Sequence, residues 1–579
     1  MEYTPRESNL EAMTAPAEKP DIIPGTDIIL TGGEYGEDAN TKEIVLIPQP
    51  SSSLDDPLNW SKAWKATVVF NLFIFVFVSV MTPMAISPMA LIFEAEFHKT
   101  LPEVNMLFGA AAITLGYANF LIVPAANMWG RRPVILVCSL ICIAANTWQA
   151  LVTSYPSFLG ARVISGIGVA ATQSIMPMVV ADVMFQHRRG SSMALYFWAQ
   201  SLGSLIGPVI SGAIASHISW RWFFWVCTIL QGASFLFLLF AYPETKYDRP
   251  PPSTSTTNNT TLMDNRLATP TTNKLESDIV SSSSSQLHMT QTTTPTTPAI
   301  LTTAHRLPSG RPSKAQFSLF PMRNRRDFLN QAEPEHDDHH RQSNFTTVLA
   351  RDVLSPVKIL LAYPIVLWAS FTMGFSGNMV AALNLTCTQV FGAPPYLFTP
   401  AQIGFLNFAL IVGAVVSLVT AGPLSDWIAV RRARQNGGVL EAEMRLPALI
   451  PYVCVCVVGT VVVAVGDQRA WSWEVIVVLG YTLIGLQMVG VPTIVIAYAV
   501  DSYKSLPGEV MIAATVVRDT FGFGMILFFN DWVAQSGYIK PLLMMMGITV
   551  GFCIIGLCLF IPYGKTFRRW TKDSKLHSL

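Results

Sequence analysis

The chain has 579 residues, 51% hydrophobic and 13% charged, with a formal net charge of +1. Soluble proteins carry about 25% charged residues, so this composition argues against a soluble globular protein and points to the membrane. A charge balance so near zero supports no nucleic-acid partner, and the chain has no P-loop, nucleophile elbow or zinc-ligand spacing that would make it an enzyme or call for a cofactor.

Residues 1–64 are polar, acidic and proline-containing, unlike a secretory signal. They are expected to form a disordered cytoplasmic tail that closes on Asp55-Asp56-Pro57-Leu58-Asn59-Trp60. Twelve apolar segments follow, at about 66–92, 104–126, 133–153, 157–182, 192–215, 221–241, 359–385, 401–423, 447–465, 472–498, 509–530 and 541–562. A helix needs about 20 such residues to cross a bilayer. The expected fold is therefore all-α and polytopic, with one six-helix half over 65–241 and a second over 359–563. The eight cysteines fall in or beside apolar runs and read as small buried hydrophobes, without metal-ligand spacing.

Lysine and arginine in short loops set orientation. If the N-terminus is inside, sixteen of them flank the inner ends and only Lys99, Arg221, Arg469 and Lys540 the outer ones. Both termini are thus expected in the cytoplasm, the second of them in a tail over 564–579. Residues 242–358 are rich in Ser, Thr, Pro and Asn and read as a disordered cytoplasmic linker. Its cluster Glu335-His336-Asp337-Asp338-His339-His340 reads as a solvated charge run, not a metal site. Helical periodicity returns at 346–361, as for a helix lying on the inner leaflet. Of the five glycosylation sequons, Asn59, Asn258, Asn259 and Asn344 fall on the predicted cytoplasmic side and Asn384 close to the bilayer, so no functional glycan is expected.

Polar residues are sparse within the spans. In the first, Asn71, Ser79 and Thr82 share a face; in the fourth, Arg162 lies about five residues in, ~8 Å from the outer end at 1.5 Å per residue, Gln173 lies near mid-depth and Asp182 at the inner end. In the fifth, Gly203, Gly207 and Ser211 recur every four residues and let a second backbone approach, while Pro208 frees a carbonyl in mid-span and Gly212 closes the run. Tyr196, Gln200 and Ser204 share another face of that span. Ser370, Gly374, Gly377, Asn378 and Ala381 stripe the seventh span, Gln487 lies in the tenth, and Arg518 and Asp519 are adjacent in the eleventh. Neighbouring helical residues point roughly 100° apart, so this last pair is expected to need partners on other helices or a wet cavity. The stripes have two explanations, cargo contacts or hydrogen bonds between helices.

The turn after the second span reads Asn127-Met-Trp-Gly130-Arg131-Arg132-Pro133, and the turn after the eighth reads Gly422-Pro-Leu-Ser-Asp426-Trp427 followed by Arg431 and Arg432. A glycine turn with basic residues suits contacts to a carboxylate or a helix C-terminus. Two copies in matching places of two halves resemble the major facilitator superfamily. Gly130–Pro133, Arg162-Val-Ile-Ser-Gly166-Ile-Gly168 and Gly203–Gly212 are similar to its loop, fourth-span and fifth-span motifs. The entry at Asp55–Trp60 and Glu443-Met-Arg445-Leu-Pro447 resembles the fungal twelve-spanner drug:proton antiporters, including relatives that handle polyamines or natural products. One departure is Asn127, where the family has an acidic residue, so a charged latch would rest on Asp426 or Asp182.

The resemblance implies a major facilitator fold in which spans one, four, seven and ten line a central cavity, with Asn71, Thr82, Gln173, Gln200, Asn378 and Gln487 as candidate contacts. It implies a proton-driven exporter of a small organic molecule, functional as a monomer in the plasma or vacuolar membrane. Proton coupling would fall to Arg162 and Asp519, and the Gly203–Gly212 seam would permit helix movement. The alternatives are proton-coupled uptake of polyamines or other organic cations, and a non-transporting receptor signalling through 242–358.

Overall fold

Ser61, whose hydroxyl accepts the Trp64 amide, opens helix α1 (Lys62–Met84) where the sequence turns apolar. The computed structural model of the protein describes residues 25–28, 51, 53, 55–185, 189–247, 310–318, 345–436, 438–503 and 507–572. A reciprocal cap between Thr100 and Glu103 starts α2 (Leu101–Trp129), and Gly130 separates it from α3 (Arg131–Leu151). Helices α4 (Tyr155–Val183), α5 (Arg189–His217) and α6 (Trp220–Ala241) complete the first half. The second half holds α7 (Pro364–Phe391), α8 (Asn407–Gln435), α9 (Leu449–Arg469), α10 (Thr482–Ser502), α11 (Pro507–Ser536) and α12 (Ile539–Lys572). Among the described residues, twelve helices are long and apolar enough to cross a membrane.

The two halves repeat one packing scheme. In the first, α1 packs on α5 and α6, α2 on α4, and α3 on α4 and α6; in the second, α7 packs on α11 and α12, α8 on α10, and α9 on α10 and α12. The halves meet along α2–α11 and α5–α8, which exchange under the same shift of six helices. Small residues make these approaches possible, because lipid supplies no hydrophobic drive between helices and close packing must do the work. A Cβ on Gly166 of α4 would lie 2.7 Å from the Ala111 carbonyl of α2. In the second half, Gly413 of α8 and Gly485 of α10 each face the other helix's backbone in the same way.

The end of the bundle that holds the start of α1 and the end of α12 is the tail face. Here parts of the segments expected to be disordered are packed. Strand β1 (Thr26–Ile28) pairs antiparallel with β2 (Val439–Glu441), and Arg568 donates to Thr26 Oγ1 at 3.0 Å. Gly310 exchanges backbone hydrogen bonds with Asn59 and Ser61, and Phe317 meets Trp64 edge-on at 6.1 Å. Helix α12 runs to Lys572, through the start of the expected tail, and its Arg568 is buried against Glu443. Polar segments lack a core of their own, but pairing with the backbone and charges of an existing bundle requires none. The rest of 1–64, the rest of 242–344, the Glu335–His340 cluster and sequons Asn258, Asn259 and Asn344 lie outside the described residues. A helix, Phe345–Ala362, covers the periodic stretch and packs on α2 and α11.

The cysteines are all unpaired, and six are buried as expected. Cys454 and Cys558 are instead exposed on the outside of the bundle. A lipid-facing position is as apolar in sequence as a buried one, so hydropathy does not separate them.

Candidate functional site

A cavity of about 110 Å³ lies between the halves. Gln173 of α4, Gln200 of α5, Asn378 of α7 and the adjacent Arg518 and Asp519 of α11 reach its wall. Phe108, Phe197, Met373 and Met488 supply apolar surface beside them. A second hollow of about 100 Å³ shares Met84, Phe108, Ala381 and Asn384 with the first and continues past Ser87, Asn105 and Gln389. Those residues end α1, start α2 and end α7, so the passage runs from mid-bundle toward the face opposite the tails.

Arg518 and Asp519 pair with each other through one carboxylate oxygen, although their adjacent positions point them apart, and both reach the cavity wall. Arg518 Nε donates to Asp519 Oδ1 at 2.9 Å, and a terminal guanidinium nitrogen lies 2.8 Å from the same oxygen. The Cβ atoms do diverge, but the arginine side chain is long enough to curl back. Glycines on the facing helices leave the room: a Cβ on Gly377 would lie 3.3 Å from Arg518 Cδ, and one on Gly116 would lie 2.9 Å from Asp519 Cβ. Asn378 adds a hydrogen bond from its amide to the Arg518 carbonyl at 3.1 Å.

Arg162 is fully buried but is not part of the cavity wall. Its guanidinium donates to the carbonyls of Leu107 (3.0 Å), Thr82 (3.0 Å) and Pro83 (2.7 Å) and to Gln149 Oε1 at 3.2 Å. Thr82 and Pro83 belong to the last turn of α1, where the helix leaves carbonyls to be satisfied from outside and only the Ala85 amide, at 3.4 Å from the Thr82 carbonyl, caps it locally. Arg162 therefore clamps the end of α1 to α2, α3 and α4.

Three further cavity candidates also lie elsewhere. Asn71 donates to the Thr67 carbonyl of its own helix at 2.8 Å. Thr82 is engaged through its carbonyl by Arg162, and Gln487 donates to the Ser376 hydroxyl, tying α10 to α7. A polar stripe identifies a helix face but not the neighbour it meets. Asn384, read only as a sequon, does reach both hollows. It extends the seventh-span stripe by one turn beyond Ala381, which was the available signal.

The fifth-span seam packs against α1 with matching periodicity. A Cβ on Gly203 would lie 2.5 Å from the Phe77 carbonyl, one on Gly207 would collide with the Met81 carbonyl, and Ser211 donates to the Ala85 carbonyl at 2.9 Å. Gly212 and Pro208 face α8's entry instead, at Pro400 and Gly404.

The two loop motifs close the tail face differently. Gly130 takes φ +102°, and a Cβ there would run into Glu244. That carboxylate accepts the amides of Arg131 and Arg132 at 2.9 and 3.0 Å, an anion seated on the N-terminus of α3. The Arg131 guanidinium bonds the Ala126 carbonyl and Asn127 Oδ1 and lies 3.4 Å from Asp182. Arg132 donates to the Ser318 and Leu239 carbonyls. In the second half the equivalent cation is Arg445, which pairs with Asp426 and, at 2.8 Å, with Asp501. Arg431, one of the basic pair that follows this turn, lies over the Trp427 ring at 5.1 Å. Asp426 Oδ2 also accepts the Ser191 amide at 3.0 Å and hydroxyl at 2.9 Å, joining α8 to the start of α5 across the halves. Glu244, Arg445 and Asp501 were missed as site residues. Asp501 was legible by analogy, since it ends α10 as Asp182 ends α4; Glu244 is distant in sequence from the turn it caps.

The sequence model of the Major Facilitator Superfamily matches residues 72–526. The chain belongs to that superfamily. It is thus a transporter and not an enzyme, and with its twelve apolar helices a multi-pass membrane protein. Among relatives, it is 26% identical to Protein HOL1 of Saccharomyces cerevisiae, covering 97% of this chain and 98% of that one. It is 21% identical to the probable efflux pump mfs2 of Aspergillus flavus (82% and 96% covered) and 24% identical to the MFS transporter fsa7 of a Fusarium species (89% and 87%). Among solved structures, the superfamily's proton:xylose symporter XylE, bound to 6-bromo-6-deoxy-D-glucose, aligns over 87% of this chain and 97% of its own with a TM-score of 0.55. At 12% identity that likeness concerns the fold alone.

Proposed function

We propose that this transporter exports a small organic molecule in exchange for protons, as a monomer, by alternating exposure of the cavity between the halves. The carrying observation is a buried carboxylate, Asp519, in the wall of a hollow that reaches one face while Asp426 and Ser191 bridge the halves at the other. The lysine and arginine bias places the tail face in the cytoplasm, so the hollow opens outward, from the plasma membrane or a vacuolar one. Among the described residues, Arg518 on its own helix pairs with Asp519, and the buried phenol of Tyr196 on α5 donates to the Gln173 carbonyl beside the cavity. Asp519 is the proton carrier in this reading, with Arg162 a structural clamp. A relative named as an efflux pump supports the direction. In proteoliposomes, an imposed pH gradient should drive substrate movement several-fold faster in the parent than in Asp519→Asn; transport indifferent to the gradient overturns the coupling. Proton-coupled uptake of an organic cation is the second reading, favoured by the Asp519 carboxylate in the cavity wall; net accumulation by intact cells, compared with cells lacking the protein, separates it from export.

A further inference from the structure

Asp467 is buried in α9 near the face opposite the tails, and neither of its carboxylate oxygens has a hydrogen-bond partner. It lies one turn beyond Val463 and Ala464, which share an apolar cluster with Cys387 of α7 and with Tyr481, the residue that leads into α10. Tyr396, between α7 and α8, donates to the Trp471 carbonyl just past α9, and the Tyr538 amide, at the start of α12, donates to Gln468 Oε1 at 2.8 Å. This thiol and these three phenols are the titratable side chains in electrostatic reach of Asp467 among the described residues, and none is a cation. Arg469 and Glu474, at the same end of the bundle, are exposed. Among the described residues, no group of three or more His, Cys, Asp and Glu side chains could hold a metal ion. The stretch Val475–Tyr481, which packs on α9, is wound as a π-helix, an uncommon geometry frequent at functional sites.

The position is the second-half counterpart of the Arg162 clamp. Gln149 is third from the end of the 21-residue helix α3, as Asp467 is in the 21-residue α9. Arg162 precedes by four residues Gly166, which faces α2; Tyr481 precedes by four Gly485, which faces α8. The first half thus sets a cation among carbonyls, and the second sets an acid near a phenol with no cation. An ionised carboxylate sealed from water and left unpaired is strongly disfavoured, whereas the neutral acid is one more small polar group. From this we infer that Asp467 is a proton-binding site, which holds a proton while the ends of α7, α9 and α10 are packed together and releases it as they part. The packed form binds this proton and an opened form, whose carboxylate meets neutral water, does not; acid therefore favours packing and alkali favours opening. The site stands apart from the cargo hollow and is independent of what is transported and in which direction.

Infrared spectra of the full-length protein in lipid nanodiscs at neutral pH test the proton. An aspartate in water is ionised there, so the parent should show a neutral-carboxyl C=O band that Asp467→Asn lacks. Spectra with no such difference overturn the site. Asp467→Asn and Asp467→Val should both melt no earlier than the parent, since a neutral acid has no ion pair to lose. Early melting of both would mean an anion held by a cation and would overturn the site as well. The native Cys387 thiol reports on opening. Its rate of alkylation, read by peptide mass spectrometry, should be equal in the parent and Asp467→Asn under mildly acid conditions. Under mildly alkaline conditions it should be several-fold faster in the parent, the variant serving as reference for the thiol's own reactivity. Equal rates under both conditions would overturn the link between this proton and the packing.

Discussion

Arg162 carries its charge among dipoles. Every hydrogen-bond partner described for its guanidinium is a backbone carbonyl or the Gln149 amide oxygen. Removing the side chain takes from the Pro83 carbonyl and Gln149 Oε1 the one partner described for each, and each such buried group costs roughly 1–3 kcal/mol, while the Thr82 carbonyl keeps the Ala85 amide. Arg162→Ala should therefore lower stability by about 3 kcal/mol or more, seen as an earlier thermal unfolding transition of the detergent-solubilised protein, while Arg162→Lys, with fewer donors, should lose less. A variant that melts like the parent but loses gradient-driven transport would return Arg162 to proton coupling. That an arginine lies within the fourth span was legible in the sequence. Its partners were not, because they are carbonyls of other helices and leave no mark in the pattern of side chains. The reverse holds for Arg518 and Asp519: their adjacency was plain, but their pairing depended on the space that Gly377 and Gly116 leave on α7 and α2.

At the level of elements, α5 is held by backbone proximity. Gly203 and Gly207 oppose Phe77 and Met81 of α1 turn for turn, so the four-residue repeat identified a seam and the fold supplied its partner. Gly207→Val forces a branched side chain into the Met81 carbonyl, and overpacking of this kind costs about 1–3 kcal/mol. The expected result is a lower melting temperature with slowed substrate exchange. Gly524→Ala is the control: a Cβ there meets nothing within 4 Å, so stability should be unchanged or slightly raised. Equal effects at the two positions would refute the seam. The segments flanking the bundle carry a similar lesson. Their composition offers no core of its own, yet β1 finds β2 and Gly310 finds Asn59, because an open backbone edge can be paired by a chain of almost any composition.

Across the whole molecule, orientation and access are one question. Gln389 lies on the passage near the end of α7, and exposed Arg434 lies at the tail-face end of α8. With the tails in the cytoplasm, a membrane-impermeant thiol reagent added to intact cells should label Gln389→Cys and spare Arg434→Cys, read against the parent with its native cysteines. The opposite pattern would invert the transporter and the direction assigned to its cargo.

The sequence by itself determined that twelve apolar helices stand in two groups of six, and that lysine and arginine crowd one side of them. Those properties add up residue by residue along the chain, through transfer to lipid and attraction near its surface. Which polar residues share the cavity was decided only by tertiary structure. Asn71, Thr82 and Gln487 are as polar as Gln173, Gln200 and Asn378, and what separates them is the helix each happens to face. That choice is made by close packing between α2 and α11 and between α5 and α8, where the partners come from opposite halves of the chain.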